Sequence, residues 1–127
     1  MGLGLYSPGL NLGEQEQLGY WRSTYTLTKK IVKERGETKD EGAATHHIVA
    51  WGDERAQRSR AILDKVGMDI NDANNGLFIH GRYHDYLHTG RYHQEVFRSL
   101  EGLTTYGDVA AALAVIRTRI QAGIFPF

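Results

Sequence analysis

Two short apolar runs of strand type constrain the fold of this chain more than any other feature. Residues 48–51 and residues 77–79 are too short to form amphipathic helices, and turn-forming residues border them. The segment between them includes a stretch, residues 68–76, that is dense in Asn and Asp and predicts a turn-rich connection. We therefore expect the two runs to pair, and the rest of the core to come from helices.

Residues 14–32 combine polar and aromatic side chains in a pattern compatible with one or two helices. The end of this stretch is positively charged, which suits a helix C-terminus. A phosphate-facing patch is the alternative reading of the same residues, which are Lys29, Lys30, Lys33 and Arg35.

Capping signals predict three later helices. Asp53 is expected to cap a helix that reaches about Val66 and stops at Gly67, and Thr89 is expected to cap the next one. Asp108 is expected to cap the last helix, which Gly123 ends. Four apolar residues form one stripe on this last helix: Val109, Leu113, Ile116 and Ile120. The sequence thus predicts a mostly helical α+β fold.

Length and composition exclude several classes of protein. The 127 residues suit one domain, and 41% hydrophobic with 24% charged residues is typical of a globular chain. No apolar run approaches about 18 residues and no leader pattern opens the chain, so we expect neither a membrane span nor a secretory signal peptide. Because cysteine is absent, any metal must be held by histidine, carboxylate or amide oxygen. A net charge of zero argues against long-range capture of nucleic acid but allows a local patch.

All six histidines lie between residues 46 and 93, and imidazole is both a common metal ligand and a natural base near pH 7. His84 and His88 are four residues apart, so a helix would place both rings on one face. His46 and His47 are adjacent, so a regular strand would point them to opposite faces. The two would then serve one site only if the strand bends or bulges.

The order of the motifs resembles that of HNH/endonuclease VII (ββα-metal) nucleases. It runs from Thr-His-His-Ile-Val at residues 45–49, through Asn75-Gly76, to the His84/His88 pair. The resemblance is strongest to the AHH branch, found as toxin tips of bacterial polymorphic toxins. It covers about residues 43–101, with Thr45 in place of the alanine of the namesake motif, and residues 1–42 and 103–127 gain nothing from it.

The resemblance implies one nuclease domain with a ββα-metal finger, a short hairpin plus a helix, among additional helices. Residues 1–42 would be a lead-in with accessory helices, residues 43–101 the nuclease core and residues 103–127 a scaffold helix.

The resemblance also implies metal-dependent hydrolysis of a phosphodiester bond. His46 would bind the ion and His47 would be the general base, while His84 and His88 would complete the protein ligands. The amide of Asn75 would tie down the loop that carries the base. Two further residues, Arg82 and Arg91, either contact phosphate or remain solvated.

Two assignments stay open within this scheme. His93 is an alternative to His84 or His88 as a ligand, although its angle on the helix after Thr89 falls among buried apolar residues. His80 is expected at the surface or behind a ligand. One divalent ion is expected, and three imidazoles suit Zn²⁺, Ni²⁺ or Mn²⁺ better than Mg²⁺.

The same resemblance implies that the chain would be a non-specific DNase acting on duplex DNA, with no small-molecule substrate. As a toxin domain it would be delivered into the cytoplasm of a target bacterium and would have a cognate immunity protein. The alternatives are an RNase of the same fold and a non-catalytic module in which the ion only staples the fold. Removal of the metal with a chelator would distinguish this last alternative from a nuclease, because a module that depends on its metal for folding would unfold.

Overall fold

A computed structural model describes the backbone of residues 12–127 and the side chains of residues 23–127. Within that range the chain forms five α-helices, two 3₁₀ turns and one two-stranded sheet, which confirms the mostly helical α+β prediction. The helices are α1 (Leu12–Arg35), α2 (Gln57–Lys65), α3 (Gly81–Tyr86), α4 (Gly90–Leu100) and α5 (Tyr106–Gln121). The strands are β1 (Ala43–His47) and β2 (Gly76–His80), and the 3₁₀ turns are Glu54–Ala56 and Ala73–Asn75.

β1 and β2 pair in antiparallel register, from Ala43 opposite His80 to His47 opposite Gly76, with no bulge. The expected pairing of two short segments is therefore confirmed, but the position of the first strand was wrong. Residues 48–51 lie beyond β1 because the chain leaves the sheet after His47. Ile48 and Val49 are nonetheless fully buried, since they turn inward into the main core. These residues are apolar because they pack in the core, although they do not form a strand.

The two faces of the sheet pack against different helices. On one face, Leu27 and Ile31 of α1 form a small core with Phe78 and Ala73. Gly76 permits this approach, because a Cβ atom there would lie 2.6 Å from a methyl carbon of Leu27. The opposite face, including Leu77 and Ile79, joins the main core, to which the other helices contribute. The predicted stripe of α5 is confirmed there, since all four of its residues are buried.

Most of the predicted helix boundaries are confirmed. Asp53 accepts a hydrogen bond from the Arg55 N–H at the start of the 3₁₀ turn that leads into α2, and Gly67 follows α2 with a φ of +76°. Thr89 accepts from the Tyr92 N–H and caps α4.

The predicted cap of α5 was wrong. Thr105 is the cap, and its hydroxyl accepts from the backbone N–H of Asp108, which lies inside the first turn. An acidic residue three positions after a threonine cap is itself typical of a helix start, which explains the displaced assignment.

α1 is one continuous helix and includes the stretch predicted as one or two helices. The basic residues at its C-terminal end have two different environments. Arg35 pairs with Glu37 and donates hydrogen bonds to the carbonyl oxygens of Ala73 and Gly76, so it anchors α1 to the start of β2. The lysines instead line an open depression with Tyr25.

The described backbone begins at residue 12, inside the predicted lead-in. The structure does not describe residues 1–11 of the predicted lead-in, nor the side chains of residues 12–22, which include Tyr20 and Trp21. None of the helices in residues 12–127 combines the length and the apolar composition that a membrane span requires.

Candidate metal centre and catalytic site

Three histidines converge at the edge of the sheet. His46 comes from β1, His84 from α3, and His88 from the connection between α3 and α4. One ring nitrogen of each lies within 4.8 Å of those of the other two, and no other such group of metal-binding side chains occurs among residues 23–127. The ring centroids are 5.1 Å apart for His46 and His84 and 4.7 Å apart for His84 and His88.

The His84/His88 pair does not lie on one helix, contrary to the expectation from its spacing. α3 ends at Tyr86, so His88 follows the helix. The turn at Leu87 brings the rings together, because that side chain is fully buried and holds the connection against the core. The two Nε2 atoms are 3.2 Å apart. Ligand nitrogens about 2.05 Å from a tetrahedral Zn²⁺ would be separated by about 3.3 Å.

His46 forms the buried side of this cluster and is only 1% exposed. Burial, followed by the neighbouring imidazoles of His84 and His88, holds its pKa well below the ordinary value, so the ring is neutral near pH 7. Its Nδ1 atom is buried and has no hydrogen-bond partner among residues 23–127. An unpaired buried nitrogen among neutral imidazoles fits a divalent transition metal, and the donor set contains none of the oxygens that Mg²⁺ prefers.

His47 faces the other side of the sheet, toward α1. Its Nε2 atom lies 2.8 Å from Oδ1 of Asn71, which also accepts a 2.7 Å hydrogen bond from Ser23. Because an amide oxygen only accepts, His47 is protonated at Nε2 and carries its lone pair at Nδ1. Burial lowers the pKa of His47, and the hydrogen bond to Asn71 opposes that shift.

A cavity of about 290 Å³ is lined both by His47 and by two histidines of the cluster. Its lining consists of Thr45, His47, Ala50, Trp51, Gly52, Asp53, His84 and His88. His47 thus shares the cavity with two rings of the metal-binding cluster, and His46 contacts those same rings. β1 pairs with β2 without a bulge and ends at His47, so this histidine lies at the end of the strand, where it lines the cavity.

Asn75 holds the chain just after His47. Its side chain is fully buried, accepts from the N–H of Val49, and donates to the carbonyl oxygens of Val49 and Ile70. Its backbone carbonyl also accepts from the N–H of Ile48. These bonds tie the end of β1 to the turn before β2, and so limit movement of His47.

Two further residues border the site. The hydroxyl of Thr45 lies 2.6 Å from that of Thr28 in α1, so the residue that replaces the family alanine has a hydrogen-bond partner. The carboxylate of Asp53 pairs with Arg55, which holds the pKa of Asp53 below its usual range and keeps it ionised.

The other residues singled out in the sequence lie outside the cluster. His93 is buried, with Nε2 3.4 Å from the Asp53 carboxylate. His80 is exposed and caps α3 by accepting from the Arg82 N–H. The side chains of Arg82 and Arg91 are exposed and do not line the cavity.

Sequence reasoning did not identify three residues that contact the histidines: Ser23, Asn71 and Tyr92. Asn71 lay in a stretch assigned to turns. Tyr92 had only the helical spacing of a core residue, and nothing in the sequence indicated that Ser23 contacts a histidine.

Residues 27–120 match the sequence model of a nuclease family of the HNH/ENDO VII superfamily with a conserved AHH motif. The match is wider than the resemblance at residues 43–101, and it includes part of α1 and most of α5. No curated protein and no solved structure matches the chain.

Proposed function

The chain belongs to the AHH family of nucleases in the HNH/ENDO VII superfamily, and on that premise we propose that it is a metal-dependent, non-specific endonuclease acting on duplex DNA. The observation that carries the proposal is the arrangement of histidines. Three neutral imidazoles lie within ligand distance of one another, and a fourth, His47, lines the same cavity with a lone pair at Nδ1.

In the proposed mechanism, His46, His84 and His88 would hold one divalent ion. When bound, such an ion would supply Lewis acidity, which neutralises negative charge that develops during phosphodiester hydrolysis. His47 takes a proton from a water molecule in the cavity through Nδ1. The water oxygen bonds to phosphorus while the bond to the 3′ oxygen breaks, and that oxygen keeps the electron pair.

The other residues of the site would hold His47 and the phosphate in position. Asn71 holds the His47 ring through Nε2, and Asn75 restrains the backbone that follows it. Arg82 and Arg91 lie near the starts of α3 and α4, and they precede and follow His84 and His88 in the sequence. Both are proposed phosphate contacts. Bidentate guanidinium groups suit that role.

We further propose that the chain is the toxin domain of a bacterial polymorphic toxin. The support is the resemblance of residues 45–49, 75–79 and 84–96 to the AHH toxin tips. Such a domain acts in the cytoplasm of the target bacterium, and its producer needs a cognate immunity protein. The zero net charge supports weak, sequence-tolerant binding through a small patch.

Plasmid cleavage with and without chelator, followed by added Zn²⁺, Ni²⁺, Mn²⁺ or Mg²⁺, tests the proposed activity. His47→Ala should abolish cleavage while metal affinity and folding stay nearly intact. His80→Asn is the matched control, because His80 is an exposed histidine outside the cavity and asparagine preserves a cap for α3. Full activity in His47→Ala would contradict the mechanism.

The substrate is tested by comparing duplex DNA, single-stranded DNA and structured RNA under the same conditions. We expect duplex DNA to be cut fastest and at many positions. Faster degradation of RNA, or cutting at a single sequence, would contradict the substrate assignment while leaving the nuclease family unaffected.

A further inference from the structure

The hydroxyl of Tyr92 connects the metal-binding strand to α4. The Tyr92 ring is fully buried, and its position is set by Thr89, which accepts from the Tyr92 N–H at the start of that helix. The hydroxyl oxygen has two short contacts. It lies 2.7 Å from the carbonyl oxygen of Ile48 and 2.7 Å from Nε2 of His46.

Only one arrangement of hydrogens satisfies both contacts. The Ile48 carbonyl has no hydrogen to give, so the single hydroxyl hydrogen of Tyr92 must lie between those two oxygens. The hydroxyl oxygen is then an acceptor toward His46, and Nε2 of His46 must carry a hydrogen. The opposite arrangement would leave two buried acceptor oxygens facing each other at 2.7 Å with no hydrogen between them.

The tautomer decides which ring atom is free for a metal. With Nε2 protonated and directed at Tyr92, the lone pair of His46 is at Nδ1. This buried atom has no hydrogen-bond partner in the part of the chain whose side chains the structure describes. In metal centres, the partner of the second ring nitrogen commonly sets the orientation and tautomer of a histidine ligand.

We propose that Tyr92 is a positioning residue for the metal centre, which fixes His46 as the Nε2–H tautomer and so presents Nδ1 as the metal-binding atom. The inference rests on the proposed metal centre and names a residue outside its ligand set. Because the same hydroxyl binds Ile48, two residues after His46, it also holds the end of β1 in place.

The first test is made on the metal-free wild-type chain. Long-range ¹H–¹⁵N NMR of ¹⁵N-histidine-labelled protein at about pH 7.5 should show His46 protonated at Nε2. A hydrogen at Nδ1 would overturn the proposal. This measurement needs no variant and no nuclease activity.

The second test measures Zn²⁺ binding by calorimetry in Tyr92→Phe, which keeps the ring and removes the hydroxyl. We expect its Kd to rise at least about tenfold and His46 to show both tautomers. Tyr83→Phe is the matched control, because the Tyr83 hydroxyl is also buried but has no hydrogen-bond partner among the described side chains. Its affinity should equal that of the wild type, and thermal melting should show both variants folded.

The outcomes separate the two proposals. Wild-type affinity in folded Tyr92→Phe overturns the positioning role. An absence of Zn²⁺ binding in the wild type overturns the metal centre together with this inference. Zn²⁺ binding that depends on Tyr92, without cleavage of any nucleic acid, supports the positioning role and contradicts only the proposed nuclease mechanism.

Discussion

Replacing Asn75 with alanine should destabilise the fold strongly, because one buried amide serves three backbone groups. The substitution removes the hydrogen bonds to the N–H of Val49 and to the carbonyl oxygens of Val49 and Ile70. Asn75 is fully buried, so the surrounding structure gives water little access to the groups left behind. The lost bonds therefore become unsatisfied polar groups instead of solvated ones.

The magnitude follows from the number of bonds. Three intramolecular hydrogen bonds at about 1 kcal/mol each give about 3 kcal/mol, and unsatisfied buried partners raise the cost toward about 5 kcal/mol. Domains of this size are stable by about 5–15 kcal/mol, so the loss is a large fraction of the total. At roughly 3–5 °C per kcal/mol, the melting temperature should fall by at least about 10 °C.

Urea unfolding of metal-free protein measures this loss directly. Asn74→Ala is the matched control, because the neighbouring amide bonds to Asp72 and Tyr106, its side-chain partners within residues 23–127, and lies nearer the surface. We expect the control to lose less than about 1 kcal/mol. A loss for Asn75→Ala that is below about 1 kcal/mol, or equal to that of the control, would refute the reasoning from its buried hydrogen bonds.

Three other predictions follow from charge and ligand geometry. Burial and the neighbouring imidazoles lower the native pKa of His46 from 6.5, so the unfolded chain binds more protons. Metal-free protein should keep its full stability above about pH 6.5 and lose it as the pH falls, as measured by urea unfolding between about pH 8 and 5; greater stability in acid would contradict this. Titration should show one metal ion per chain, with the Kd raised at least about tenfold, or ~1.4 kcal/mol, in His84→Ala and unchanged in His93→Ala; the reverse result would replace the assigned ligand. Finally, the double substitution Lys29→Ala/Lys33→Ala should reduce the slope of log K against log salt for duplex DNA by about 1.8, measured in chelator to prevent cleavage. An unchanged slope would show that the lysine face of α1 does not contact phosphate.

Local patterns in the sequence were sufficient for much of the architecture. The turn-rich segment between two short apolar runs predicted a hairpin, the spacing from Val109 to Ile120 predicted the buried stripe of α5, and Thr89 predicted the start of α4. These features depend on backbone sterics, side-chain period and hydrogen bonds between near neighbours. Because such interactions act between residues a few positions apart, they can be predicted from the sequence alone.

The position of β1 could not be predicted from the same patterns. Ile48 and Val49 have strand-forming side chains, yet the strand ends before them because Asn75, far along the chain, binds their backbone. A buried run in the core and a buried strand look alike in sequence, and only the tertiary partner of the backbone distinguishes them.

The sequence determined the order of the histidines, and through that order the nuclease family. The tertiary structure decided which rings converge, since the turn at Leu87 brings His88 to His84 whereas α4 places His93 beside Asp53. It also decided the hydrogen-bond partners that set each tautomer, Tyr92 for His46 and Asn71 for His47. The chemistry of an imidazole depends on which of its two nitrogens carries the hydrogen. That choice is made by atoms from distant segments, which come together only when the chain has folded.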